Sequence, residues 1–216
     1  MGKVFDYRAL RLLMGIIALS LPFVVSLIAF ESLSSISASY YTEARDAFVG
    51  LLLIVGAFLW AYNGHGPKEA IASKIASVAA ILVAIFPTSC ADCTVKIPTI
   101  FPVTKITPII HYVAALCLFS ILAYFCLVIF RRKIKGQGGR RSFRSKTYFI
   151  CGMVMVACMV ILAIANLTLD QDTLDTWQIT YWMEALALGS FGIAWIVAGK
   201  LALFVDQSED KLQLFG

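Results

Sequence analysis

The sequence predicts an all-α, polytopic membrane protein: a bundle of six transmembrane helices with both termini on the cytoplasmic side. Three observations carry that prediction. The chain has 216 residues, 60% of them hydrophobic and only 14% charged, where an average soluble domain is about half apolar and about a quarter charged. Its apolar residues fall in continuous runs of roughly 20, enough to cross about 30 Å of hydrocarbon, without the alternation of a membrane barrel strand. Its basic residues gather on one side of those runs. A single transmembrane helical domain, residues 1–216, is therefore expected, with no strands.

The first span, 12–30, follows Lys3, Arg8 and Arg11. It is too long for a signal-peptide core and no small-residue cleavage site follows, so it is expected to be retained. Pro22 lies inside it, which a membrane helix tolerates when neighbours re-satisfy the freed carbonyl. A polar stretch then leads into the second span, 46–62, and carries Arg45 and Asp46 into its mouth. That span ends at Asn63-Gly64-His65-Gly66-Pro67, a turn by composition. The third span, 70–86, is the least apolar, with Ser73, Lys74 and Ser77 near its start. Lys74 is placed to snorkel back to the nearer interface, and Pro87 ends the helix. The loop 87–107 holds Cys90 and Cys93, and the fourth span, 108–130, opens with His111. Residues 131–146 hold eight basic side chains and no acid. The fifth span, 147–167, is rich in Met, Val and Ile. An acidic loop, 170–175, precedes the sixth span, 177–205, which includes Glu184. The tail, 206–216, is polar and expected to fray.

Six spans put both ends on one side, and the positive-inside rule selects it. Fifteen of the 18 Lys and Arg residues fall with the termini; Arg45, Lys96 and Lys105 fall opposite. Both termini are therefore expected in the cytoplasm of a bacterium, with the chain multi-pass in the cytoplasmic (inner) membrane. Loops 31–45, 87–107 and 168–176 then face outward. The net charge of +5 reads as topology, so membrane lipids are the expected partners and nucleic acid is not. The basic run 131–146 also suits anionic lipid head groups, although a topology determinant is the plainer reading.

An ionisable residue deep in a membrane is by default a functional hypothesis with a partner to be found. In this topology Arg45, Asp46, His111 and Glu184 share one leaflet at similar depth. Trp177, Tyr181 and Glu184 recur at helical intervals of four and three and share a face. Ala185 and Gly189 on the sixth span, and Gly50 and Gly56 on the second, mark sites of close helix approach. Arg45 is the nearest plausible partner for Glu184. The candidate ligand-binding cluster is thus Tyr40, Tyr41, Arg45, Asp46, His111, Tyr181 and Glu184. The competing reading is structural: the charges pin two helices and cap the second span, and the aromatic residues form the interfacial belt.

Cys90 and Cys93 face an oxidising compartment in this topology and form a candidate disulfide, with a redox pair or two free thiols as the alternatives. A single CxxC does not complete a zinc ribbon. Cys117, Cys126, Cys151 and Cys158 fall within spans and are expected to pack as small apolar residues. His65 and His111 fall on opposite faces and cannot share a metal. No metal or other cofactor is expected, and the chain has no Walker loop, HExxH or GxSxG.

Ser35-Ile36-Ser37, followed by Tyr40-Tyr41-Thr42, Arg45-Asp46 and Phe48-Val49-Gly50, resembles the pattern of an uncharacterised family of small bacterial six-span membrane proteins. So do Phe86-Pro87-Thr88, Ile110-His111-Tyr112 and Trp182-Met183-Glu184-Ala185-Leu186-Ala187-Leu188. The resemblance covers nearly the whole chain and implies the same topology, without an activity. A looser similarity joins the chain to the alkaline-ceramidase and adiponectin-receptor superfamily of intramembrane zinc hydrolases, which are polytopic with Ser, Asp and His near one leaflet. Their metal site uses three histidines; this chain has two.

Three function classes follow. The expected one is a non-enzymatic membrane protein that holds a lipid or small amphiphile in a polar pocket of the extracytoplasmic leaflet. The second is a metal-independent intramembrane hydrolase, with Ser35 or Ser37 as nucleophile and His111 as base. The third is a small proton-coupled transporter working through Glu184. Against the last, no internal repeat and no pair of matched broken helices is visible.

Overall fold

The computed structural model describes residues 7–64, 66–89, 103–132 and 140–199, and among these it is all-helical, with no strand. His65, Cys90 and Cys93 lie outside the described residues, so the candidate disulfide does too. The helices are α1 (Tyr7–Ala29), α2 (Arg45–Ala61), α3 (Pro67–Ile85), α4 (Thr107–Tyr124), α5 (Phe130–Arg132), α6 (Arg140–Thr168), α7 (Gln171–Thr176) and α8 (Ile179–Ala198). A π-helical turn, Phe125–Ile129, joins α4 to α5 without a break. Long helices are present at all six expected places, and most described bounds fall within a few residues of expectation; the expected end of the sixth at 205 and the tail 206–216 lie outside the described residues. The fifth starts earlier, at Arg140.

Among the described residues, four helical stretches are long and apolar enough to cross a membrane: Ala9–Ala29, Thr107–Arg132, Phe143–Thr168 and Ile179–Ala198. Helix α2 has 17 residues, about 26 Å at 1.5 Å per residue. Helix α3 carries Lys68, Glu69 and Lys74. Neither is among the four.

The six long helices pack as a closed ring in chain order, α1 on α2, α2 on α3, α3 on α4, α4 on α6, α6 on α8, and α8 back on α1. Alternating direction makes sequence neighbours spatial neighbours. The end of the bundle holding residues 30–44, 86–89 and 169–178 is called the upper end here, and the end holding 62–64 the lower.

Two contacts show how the ring closes. Helices α1 and α8 cross at Gly15 and Gly192: a Cβ on Gly15 would stand 2.7 Å from the Gly192 carbonyl oxygen, and one on Gly192 2.8 Å from that of Gly15. Backbone therefore meets backbone, as small residues permit in membrane bundles. The expected close-contact positions fare unevenly. Gly56 does face α3, with Ser77 O at 3.4 Å, but Gly189 meets only Leu19 at 3.9 Å and Gly50 meets nothing within 4 Å. The second contact is polar. Ser73 Oγ donates to Leu59 O at 2.5 Å and Ser77 Oγ to Gly56 O at 2.6 Å, both fully buried between α3 and α2. The hydroxyls that interrupt the apolar run of α3 thus point into its neighbour's backbone.

The core has two halves. The lower one is aromatic: Tyr62, Phe125, Phe130, Tyr148, Phe191 and Trp195 are all buried. Arg11 lies over the Tyr62 ring at 5.2 Å and donates to Tyr62 Oη at 2.7 Å and to Ala198 O at 3.3 Å. Arg144 donates to Val197 O at 2.9 Å. Two arginines thereby satisfy the last carbonyls of α8, where a helix favours positive charge. The upper half centres on Leu21, Val25, Ile36, Tyr40, Phe48 and Val83, and it carries the candidate site.

Candidate functional site

The polar stretch that precedes α2 is a folded plug. Residues 35–40 are all buried, and Ser37–Tyr41 form a 3-10 helix. Its serines fold it locally. Ser35 Oγ accepts from the Ala38 N–H at 2.9 Å, Ser39 Oγ donates to Ile36 O at 2.6 Å, and Thr42 Oγ1 donates to Ser39 O at 3.0 Å. Side-chain to backbone bonds of this kind hold a chain in turns where a helix would otherwise continue. The run of Ser and Thr that reads as merely polar is what makes the plug compact.

The plug ties two sets of helices together. On one side it meets α8 and α1. The Glu184 carboxylate accepts the Ile36 N–H at 2.6 Å, and the Ser37 N–H and hydroxyl at 3.4 Å each. Ser34 O accepts the Tyr181 N–H at 3.1 Å, satisfying a first-turn donor of α8, whose N-cap residue Gln178 gives no side-chain cap. Tyr181 Oη pairs with Ser26 Oγ at 2.7 Å and donates to Pro22 O at 3.3 Å. On its other side the plug meets the upper ends of α2, α3 and α4. Tyr40 Oη donates to Ile85 O at 3.4 Å and accepts from Arg45 Nη2 at 3.2 Å, and the guanidinium lies 4.6 Å from the Tyr40 ring centre. Tyr41 Oη donates to Thr88 O at 2.6 Å; Thr88 Oγ1 and Ser89 Oγ both bond Tyr112 Oη. His111 is buried, and its Nδ1 donates to Phe86 O at 2.7 Å.

The residues singled out from sequence are thus placed as follows. Tyr40, Tyr41, Arg45, His111, Tyr181 and Glu184 all take part in this upper layer, in two groups joined by the plug. Glu184 is held by Ile36 and Ser37 rather than by Arg45, whose contact with Tyr40 runs to the other side. Asp46 is exposed in the first turn of α2, where free N–H groups favour a carboxylate. Neither Ser35 nor Ser37 is hydrogen-bonded to His111; both hydroxyls are committed to Ala38 and Glu184. Burial raises the Tyr41 hydroxyl above its ordinary value of 10.0, with Tyr40 and Tyr112 adding to the shift. Among the described residues, no group of three His, Cys, Asp or Glu is placed to hold a metal ion.

Beside this layer lies a groove that sequence reading missed. It opens between α3 and α4, with a volume of about 600 Å³, and its walls are Ile75, Val78 and Leu82 on α3 and Ile109 and Val113 on α4. Ile75, Val78, Ile109 and Val113 remain 48–64% exposed, so the groove faces outward from the bundle. Its upper end is closed by apolar residues, Leu82 on α3 and Ile109 and Ile110 on α4. At the opposite end stand Trp60 and Lys74, the latter donating to Trp60 O at 3.3 Å and Asn63 Oδ1 at 3.2 Å. Lys74 thus extends toward the end of α2. The groove itself left no signal in the sequence, because a concavity between two helices depends on their splay and not on any residue type. No family model, curated protein or solved structure matches the chain, so its function rests on the chemistry of these residues.

Proposed function

We propose that this is a non-enzymatic integral membrane protein that holds a lipid or small amphiphile against its α3–α4 face. The observation that carries the reading is the groove: about 600 Å³ of outward-facing, almost wholly apolar space, with Lys74 at its lower end. Binding sites for small molecules are mostly apolar clefts of about 300–1,000 Å³ with a few placed polar groups. The upper polar layer, with Tyr40, Tyr41, Arg45, His111, Tyr181 and Glu184, lies outside the groove's lining and acts in this reading as a brace for the upper ends of the helices. Its groups are largely committed to one another, which suits a brace better than an open polar pocket. The serine–histidine contact needed by a hydrolase is not among the contacts of Ser35 or Ser37.

The same proposal includes six spans, both termini cytoplasmic, and a place in a bacterial inner membrane, as the basic-residue asymmetry suggests. Membership of the small bacterial multi-span family that the Tyr40-to-Gly50 pattern resembles belongs to it as well. Native mass spectrometry of the purified protein tests the binding. A co-purifying amphiphile should be retained by the wild type and lost from Val113→Trp, which fills the groove. Equal retention by both proteins, or no adduct in either, would overturn the reading.

A further inference from the structure

We infer that the groove takes an acyl chain of an anionic phospholipid from the leaflet at the lower end of the bundle, with Lys74 Nζ receiving the head-group phosphate. This rests on the reading of the groove as an amphiphile site and adds the class and polarity of the ligand. The first support is charge complementarity. Lys74 is the charged side chain among the groove's lining residues, and it sits at the lower end. Its ammonium has three donors; two go to Trp60 O and Asn63 Oδ1, leaving one for a phosphate oxygen. Lys68, Arg131 and Arg132 lie at the same end of the helices, so the surrounding field also favours an anion.

The second support is position. Nζ reaches Asn63, beyond the last turn of α2, and lies 5.1 Å from the ring centre of Trp60, which is 55% exposed. A half-exposed tryptophan beside a snorkelling lysine is the arrangement found where hydrocarbon gives way to head groups. The third support is length. From Lys74 to Leu82 the α3 wall runs about 12 Å at 1.5 Å per residue, close to the ~15 Å depth of one leaflet. A chain entering at Lys74 is therefore covered for most of its length before it meets the groove's upper end.

The test uses the full chain in mixed micelles containing equimolar phosphatidylglycerol and phosphatidylcholine, with retained lipid read by native mass spectrometry. One lysine near a head group corresponds to about a fivefold preference for the anionic lipid. The wild type should show it, and Lys74→Arg should keep it. Lys74→Gln should retain lipid with the preference gone, and Val78→Trp should lose both lipids. Lys68→Gln, outside the groove, should weaken the preference less than Lys74→Gln does. A preference that survives Lys74→Gln, or that Lys68→Gln removes equally, would overturn the head-group assignment while leaving the groove reading intact. Unchanged retention in Val78→Trp would overturn both. If Lys74→Gln fails to fold, the wild type in rising salt decides: loss of preference supports the assignment, and a salt-independent preference overturns it.

Discussion

Glu184 and Ile36 are joined by a hydrogen bond of 2.6 Å, from the backbone N–H of the plug to a carboxylate on α8. This is the shortest tie between the upper loop and the helices around it, and it fixes the start of the 3-10 helix. A buried donor left without its acceptor costs about 1–3 kcal/mol. Glu184→Ala should therefore lower stability by about that amount, and Glu184→Gln, which keeps a neutral acceptor, by less than ~1.5 kcal/mol. Thermal unfolding in detergent checks the magnitude, and hydrogen exchange at Ile36 and Ser37 checks the place. Unchanged protection at those two amides in Glu184→Ala would contradict the assigned role.

The α1–α8 crossing makes a sharper prediction, because two glycines in the same bundle should respond with opposite sign. Gly15→Ala drives a methyl to within 2.7 Å of the Gly192 carbonyl oxygen and 2.9 Å of the Ile196 nitrogen. Overpacking against backbone costs about 1–3 kcal/mol. Gly50→Ala meets nothing within 4 Å and should gain up to about 0.5–1 kcal/mol from helix propensity. Melting temperatures of the two variants should bracket the wild type.

These glycines also show what a sequence can and cannot reveal. The helices were legible because continuous apolar runs bounded by turn and charge signals have one physical solution in a membrane. The upper layer was legible as a set of residues, since Tyr40, Tyr41, Arg45, His111, Tyr181 and Glu184 share an expected depth. Their pairing was not. Glu184 finds backbone N–H groups in Ile36 and Ser37, and backbone donors carry no sequence signature. Gly50 and Gly192 look alike in sequence, yet only the second lies where two helices cross. Arg11 read as a topology charge, and its role at the end of α8 depends on a contact 187 residues away along the chain.

Tyr41 predicts a pH dependence. Its hydroxyl is raised above 10.0, first by burial and then by Tyr40 and Tyr112. A folded value above the unfolded one means that the folded state binds more protons above pH ~10, so stability falls as pH rises. The contribution is complete below about pH 10 and disappears as pH climbs through the folded value. Tyr41→Phe should flatten the alkaline limb of the stability profile between about pH 9 and 11. An identical slope in the two proteins would assign that limb to other groups.

The buried serines of α3 predict a modest, additive loss. Ser73→Ala and Ser77→Ala each remove one hydroxyl bond to an α2 carbonyl that is already in a helix. Such interhelical bonds average about 0.6 kcal/mol in membrane proteins, so the double variant should lose about 1 kcal/mol. Ser73→Leu should cost more than the double change, since Ser73 is fully buried and the added volume has nowhere to go. A Ser73→Leu variant as stable as wild type would show that α2 and α3 are not held at this distance.

The same serines bear on how many helices cross the bilayer. With Ser73 and Ser77 turned into α2 and Lys74 reaching the end of that helix, the outward face of α3 is Ile71, Ile75 and Val78, each 48–59% exposed. That surface suits lipid, and a short α2 is accommodated by local thinning or by snorkelling flanks at a modest cost. Six crossings are therefore expected, although α2 and α3 are the two long helices that fall outside the plainly hydrophobic set. A reporter active only outside the cytoplasm should be silent when inserted between Gly64 and Gly66 and active near Asp172. Under six crossings the two positions lie on opposite sides. If α2 and α3 instead formed a hairpin that fails to cross, both positions would fall on the outer side and both fusions would be active. Activity at the Gly64 position would therefore reduce the bundle to four crossings. It would also move the Lys74 end of the groove out of the cytoplasmic leaflet.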